Sequence, residues 1–119
     1  MKISKTFHFD AAHRLTQVDP SHQCFRLHGH TYKVEIVCSG PIDERGFICD
    51  FSEIADAWAP VAKQLDHRFL NDIPGLENPT CETLVLWIAN RLEGINVCAV
   101  RLHESSTTWC EVDLPWGKK

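Results

Sequence analysis

Three side chains able to bind a metal or take up a proton, Cys24, His28 and His30, fall within seven positions in the stretch CFRLHGHTY of residues 24–32. On an extended strand residues i and i+2 point to the same face, so the imidazoles of His28 and His30 can converge on one ion. A third ligand is expected from a neighbouring strand. His13 shares the parity of Phe7, Phe9 and Ala11 and lies at the end of its segment nearest the loop that leads to His28. His13, His28 and His30 together make a tripod that leaves a metal position open, as a catalytic zinc requires. The plain alternative is a set of ordinary strand histidines bonded to backbone.

Two roles are open to Cys24. As a fourth ligand it would close the site into a structural zinc; as a free thiol beside a metal it would act as nucleophile or base, and its place in a loop favours the second. Downstream, LDHRFLND carries Asp66 next to His67, a carboxylate that could fix an imidazole's tautomer for acid–base work, or equally a capped helix end. Glu104 follows the parity of Cys98, Val100 and Leu102, so a carboxylate ends an apolar face, where a donor partner is expected. His8, His22 and His103 read as surface residues. Cys38, Cys81 and Cys98 fall on apolar faces and read as core.

The elements that must hold these groups follow from hydrophobic period. Residues 2–13 and the run from His28 to Cys38 alternate as half-buried strands, separated by a loop over 14–26 of turn composition. The turn GPIDERG (40–46) followed by FICDF predicts a hairpin into a third strand. Ile54, Ala55, Trp58, Val61, Ala62 and Leu65 form a helical stripe with Asp50 or Ser52 as cap and a kink expected at Pro60. A second helix opens at Thr80, buries Cys81, Leu84, Val85, Ile88 and Leu92, and is expected to stop at Gly94. NVCAVRLHE and TTWCEVDL close the chain as a strand pair. The expected fold class is α+β, an antiparallel β-sheet with two helices packed on one face, in one domain spanning 1–119.

Composition narrows the function. A chain of 119 residues with 44% hydrophobic and 24% charged residues suits one soluble domain, and no apolar run approaches the ~20 residues of a membrane span. A formal net charge of −4 without a Lys/Arg run argues against direct nucleic-acid binding. The six cysteines include no CxxC pair, and MKISKTFHFD lacks the apolar core of a secretory signal, so a reduced, cytoplasmic protein is expected.

AAHRL (11–15), CFRLHGH (24–30), LDHRFLND (65–72), NPTCE (78–82) and HES (103–105) resemble, in order and spacing, the 6-pyruvoyl-tetrahydropterin synthase family. The short interval from Cys24 to HGH and the run LNDIPGLENPT resemble in particular the branch that forms 6-carboxytetrahydropterin in queuosine biosynthesis. The resemblance implies the tunnelling fold, in which subunits join their sheets into a barrel with sites at subunit boundaries, commonly as a homohexamer. It implies zinc on His13, His28 and His30, Cys24 as the proton-abstracting thiolate, Asp66 with His67 as a second acid–base group, and Glu104 as the pterin anchor with help from Thr80. The implied lyase substrate is 7,8-dihydroneopterin triphosphate, converted with release of acetaldehyde and triphosphate; the alternatives are 6-pyruvoyl-tetrahydropterin synthesis and a non-catalytic zinc-stabilised interaction domain. Many relatives have Lys-Glu-Thr where this chain has His103-Glu104-Ser105, and for the triphosphate the candidate cations are Arg14, Arg26 and Lys33.

Overall fold

Strict alternation carries the first two strands into one long antiparallel ladder. In the computed structural model, which describes residues 1–118 and the side chains of residues 1–114, β1 (Lys2–His13) pairs with β2 (His28–Ser39) from Lys2 opposite Ser39 to His13 opposite His28. Phe9 and Ala11 on β1 and Tyr32, Val34, Ile36 and Cys38 on β2 are buried, while the intervening residues are more exposed. Phe9 and Tyr32, directly opposite, stack at 4.9 Å between ring centroids. The period of two thus sorts the sheet into a dry face and a wet one.

Helix α1 (Phe51–Leu65) is capped by Asp50, whose carboxylate accepts from the Ser52 N–H, and it runs through Pro60 on its exposed side. Its buried stripe of Ile54, Trp58, Val61 and Leu65 covers the dry face, with Trp58 stacked on Phe7. Helix α2 (Cys81–Ala89) starts at Thr80, whose hydroxyl accepts from the Thr83 N–H. It ends earlier than the periodicity suggests, at Asn90, while Leu92 is still buried in the turn that follows, and Gly94 provides the positive φ of the bend into the next strand.

The strand expected at FICDF does not form. Both edges of β2 are already taken, by β1 on one side and by β4 (Val97–His103) on the other, so no edge is left for a hairpin partner. Residues 40–50 instead form a loop organised by Asp43, whose carboxylate accepts from the Arg45 and Phe47 backbone N–H groups and from the Arg45 guanidinium. The chain returns to the sheet after α1 as a two-residue strand, β3 (Arg68–Phe69), parallel to β1. β5 (Trp109–Lys118) lies at the far edge, giving the order β3-β1-β2-β4-β5, mostly antiparallel, with α1 against β1 and α2 against β4 and β5.

One cysteine departs from expectation for a local reason. The ladder shifts register around Cys98, so Val97 takes the buried position beside Val100 and Cys98 is only half-buried. Cys38 is fully buried and Cys81 packs at the core margin.

Candidate functional site

The dry face ends in polar side chains where β1 and β2 meet the start of α2. His13 sits directly opposite His28, and Ala11 opposite His30, so the three imidazoles share one face, with ring centroids 4.6, 5.0 and 4.9 Å apart. One ring nitrogen from each lies within 4.8 Å of the other two, a set that could hold a metal ion. His13 is only 1% exposed.

Hydrogen bonds to main-chain carbonyls decide the tautomers. His13 Nδ1 lies 2.8 Å from the Pro79 carbonyl and His28 Nδ1 2.7 Å from that of Arg26. A carbonyl only accepts, so both Nδ1 atoms carry the proton and both Nε2 atoms present a lone pair. Those Nε2 atoms face one another at 3.0 Å. Two lone pairs at that distance repel unless a cation lies between them, and nitrogens bound tetrahedrally to one zinc stand about 3.3 Å apart. His30 Nε2 is buried without a hydrogen-bond partner. Burial holds His13 and His30 below the ordinary histidine pKa of 6.5, keeping them neutral as metal ligands must be. The donor set therefore fits a divalent transition metal.

Glu104, in the bend after β4, brings Oε1 to 3.7 Å from His30 Nε2. It also borders a cavity of about 290 Å³ between the start of α2 and β5, shared with Cys81 and Cys110. Thr80, one residue beyond the carbonyl that orients His13, has its hydroxyl engaged as the α2 cap. Cys24 is half-buried in a 3-10 turn, Gln23–Phe25, whose cap is His22 accepting from the Cys24 N–H. Among the described residues the cluster of mutually close donors comprises the three histidines without the Cys24 sulfur. The loop is nonetheless tied to the tripod, because Arg26, two residues past Cys24, supplies the carbonyl that orients His28.

Asp66 and His67 do touch. Asp66 Oδ2 lies 3.0 Å from His67 Nδ1, while its Oδ1 accepts from the Asp10 N–H. These bonds pull the Asp66 carboxyl below its usual pKa, chiefly through the Asp10 N–H, and raise that of His67 through Asp66. His67 has a left-handed backbone, φ 59°, closed by its N–H to the Asp10 carbonyl at 2.6 Å. Asp10, absent from the sequence reading, accepts from Thr31 at 2.5 Å and completes a second group, Asp10, Asp66 and His67, that could also hold a metal. Here, unlike at the tripod, the donors already satisfy one another. Asp10 and Thr31 are paired residues of the wet face, so this dyad lies on the opposite side of the sheet from the tripod. A cleft of about 570 Å³ opens beside it, with Ala12 and Gly29, opposite one another, as a low floor.

Sequence reasoning also passed over Pro79, visible only once the chain is folded, and Tyr32. The Tyr32 hydroxyl, 3.4 Å from His13 Nδ1, continues the parity of His28 and His30 and was findable from it. Of the candidate cations, Arg14 is spent stacking on Phe25, Arg26 is exposed, and Lys33 lies half-buried on the wet face.

Residues 2–115 match the family described as 6-pyruvoyl tetrahydropterin synthase. The chain belongs to that family. Within it, the chain is 41% identical over 103 residues to a 6-carboxy-5,6,7,8-tetrahydropterin synthase of Synechocystis, covering 80% of this chain and 77% of the relative. It is 40% identical over 84 residues to a dihydroneopterin monophosphate aldolase of Pyrococcus furiosus, covering 71% and 68%. The fold matches the solved structure of Caenorhabditis elegans 6-pyruvoyl tetrahydropterin synthase with a TM-score of 0.87 at 20% identity, over 95% of this chain and 94% of the other. This member of the family has the tunnelling fold and belongs among pterin-processing enzymes. Among the described residues no helix is long and apolar enough to cross a membrane.

Proposed function

We propose that this chain is a zinc-dependent 6-carboxy-5,6,7,8-tetrahydropterin synthase, converting 7,8-dihydroneopterin triphosphate to 6-carboxytetrahydropterin with release of acetaldehyde and triphosphate, in queuosine biosynthesis. The observation that carries the reading is the convergence of three imidazoles on one point, two with opposed lone pairs and one orphaned, in a chain of this family. His13, His28 and His30 are the zinc ligands. When bound, zinc supplies Lewis acidity toward the side-chain oxygens of the pterin.

The remaining steps fall to the protein's own groups. Glu104 accepts from the ring N–H and amino donors of the pterin at the edge of the tripod, with Thr80 as a neighbouring contact. Cys24, as thiolate, takes a proton from a side-chain carbon, and the Asp66–His67 pair moves protons from the other side. The dyad and the tripod of one chain face opposite ways, so in this reading a second copy brings its dyad to each tripod, in a cytoplasmic oligomer, a hexamer.

The aldolase relative supports a second reading, carbon–carbon cleavage of a phosphorylated dihydroneopterin without this set of products. Incubating zinc-loaded protein with dihydroneopterin triphosphate and with its monophosphate, then identifying products, separates them. Acetaldehyde and the 6-carboxy pterin from the triphosphate are expected. A retained three-carbon pyruvoyl side chain, or turnover of the monophosphate alone, would overturn the reading.

A further inference from the structure

One row of the wet face holds a lysine that, among the described residues, has no ion-pair partner. His8 on β1 lies opposite Lys33 on β2, and Lys33 opposite His103 on β4, so three nitrogen-bearing side chains stand side by side across three strands. Among the described residues neither His8 nor Lys33 has a carboxylate within ion-pair distance. Glu35 lies 3.3 Å from His103 and 3.5 Å from Arg101, which Glu111 also holds at 2.9 Å, so this carboxylate is engaged by His103 and Arg101, and Lys33 lies beyond its ion-pair reach. The row borders a cavity of about 450 Å³ lined on one side by residues 105–107, where the Ser105 hydroxyl pairs with those of Thr108 at 2.6 Å and Thr107 at 3.4 Å and can turn toward a ligand. A half-buried lysine without an ion-pair partner, standing between two imidazoles at a cavity wall, is a cation free to meet an anionic group in that cavity.

Its position says what it could serve. The row lies one pleat repeat, roughly 7 Å, from the Asp10–Thr31 row that supports the Asp66–His67 dyad, and Thr31 borders both cavities. We propose that His8, Lys33 and His103, with the hydroxyls of Ser105 and Thr107, form the subsite for the linear phosphate chain of the pterin ester whose carbon skeleton meets the dyad. The proposal rests on the phosphorylated-pterin reading above and adds to it the residues that take the anion. Lys33 supplies the charge, and the imidazole N–H and hydroxyl groups fix orientation.

Binding of inorganic triphosphate tests the site without requiring turnover. Calorimetric titration of the zinc-loaded wild type, Lys33→Met and a control, Lys63→Met on exposed α1, should give an affinity lowered about tenfold or more in Lys33→Met only, with zinc content unchanged after each titration. With dihydroneopterin triphosphate as substrate, Lys33→Met should raise KM by a similar factor at nearly constant kcat, while the inhibition constant of unphosphorylated dihydroneopterin stays put. Equal triphosphate affinity in wild type and Lys33→Met overturns the subsite. An equal loss for ATP without a KM effect also overturns it as a substrate subsite, marking a general polyphosphate site instead. Lys33-dependent triphosphate binding in a protein that fails to turn over the pterin ester would uphold the anion subsite and refute only the reaction.

Discussion

His13 concentrates the residue-scale argument, because its two ring nitrogens are committed to different tasks by the Pro79 carbonyl and by the opposed lone pair of His28. His28→Ala should therefore strip zinc from the purified protein, as measured by elemental analysis, and abolish turnover with it. Cys24→Ala should behave differently: zinc stays stoichiometric and the melting temperature holds, while turnover falls by ~10² or more, the scale for a missing general base. Metal lost in parallel with activity in the Cys24 variant would make the thiolate a ligand instead. The same burial predicts a pH response. His13 and His30 titrate below 6.5 when folded, so the unfolded chain binds more protons than the native one as pH drops through that value. The metal-free protein should lose stability on acidification from about pH 6.5 toward the lower folded pKa values; denaturant midpoints that stay level over that range would refute the neutral assignment.

At the scale of elements, the site depends on how α2 begins. Thr80 caps the helix one residue after the carbonyl that orients His13, so the cap and the tripod are mechanically continuous. Thr80→Ala should cost about 1 kcal/mol of stability through the lost cap and weaken zinc affinity as Pro79 drifts, whereas Thr80→Ser keeps the hydroxyl and should restore both. If Thr80→Ala instead raises KM for the pterin with stability and zinc intact, its role is contact with substrate. Both helix starts were legible from their caps and apolar stripes, Asp50 before α1 and Thr80 before α2. The missing strand at FICDF was not, since its pattern is that of a strand and only the occupied edges of β2 exclude it. Nor was the shift at Cys98, because a bulge changes which residues share a face without changing their alternation.

For the whole molecule, the decisive fact is that one sheet separates the tripod from the Asp66–His67 dyad. On the proposed reading a site that uses both is completed between copies, so mixing two inactive variants, Cys24→Ala and His67→Ala, should recover activity in re-assembled oligomers. With random assortment roughly a quarter of sites would pair an intact Cys24 with an intact His67 from another copy. No recovery after verified subunit exchange would place both groups of a site in one chain.

The parity of His13, His28 and His30, the caps of both helices and the chemistry of each candidate side chain were readable from residues alone, because strand and helix periods are local properties of the backbone. Which way Asp66 and His67 face depends instead on where the chain re-enters the sheet after α1, as a parallel strand beside β1, with Asp10 fixing the turn. The tautomers of His13 and His28 likewise hang on the carbonyls of Pro79 and Arg26, the first brought from 66 positions away. Pairing across strands and contact across loops join residues whose separation along the chain carries no periodic signal, and there only the tertiary structure decides.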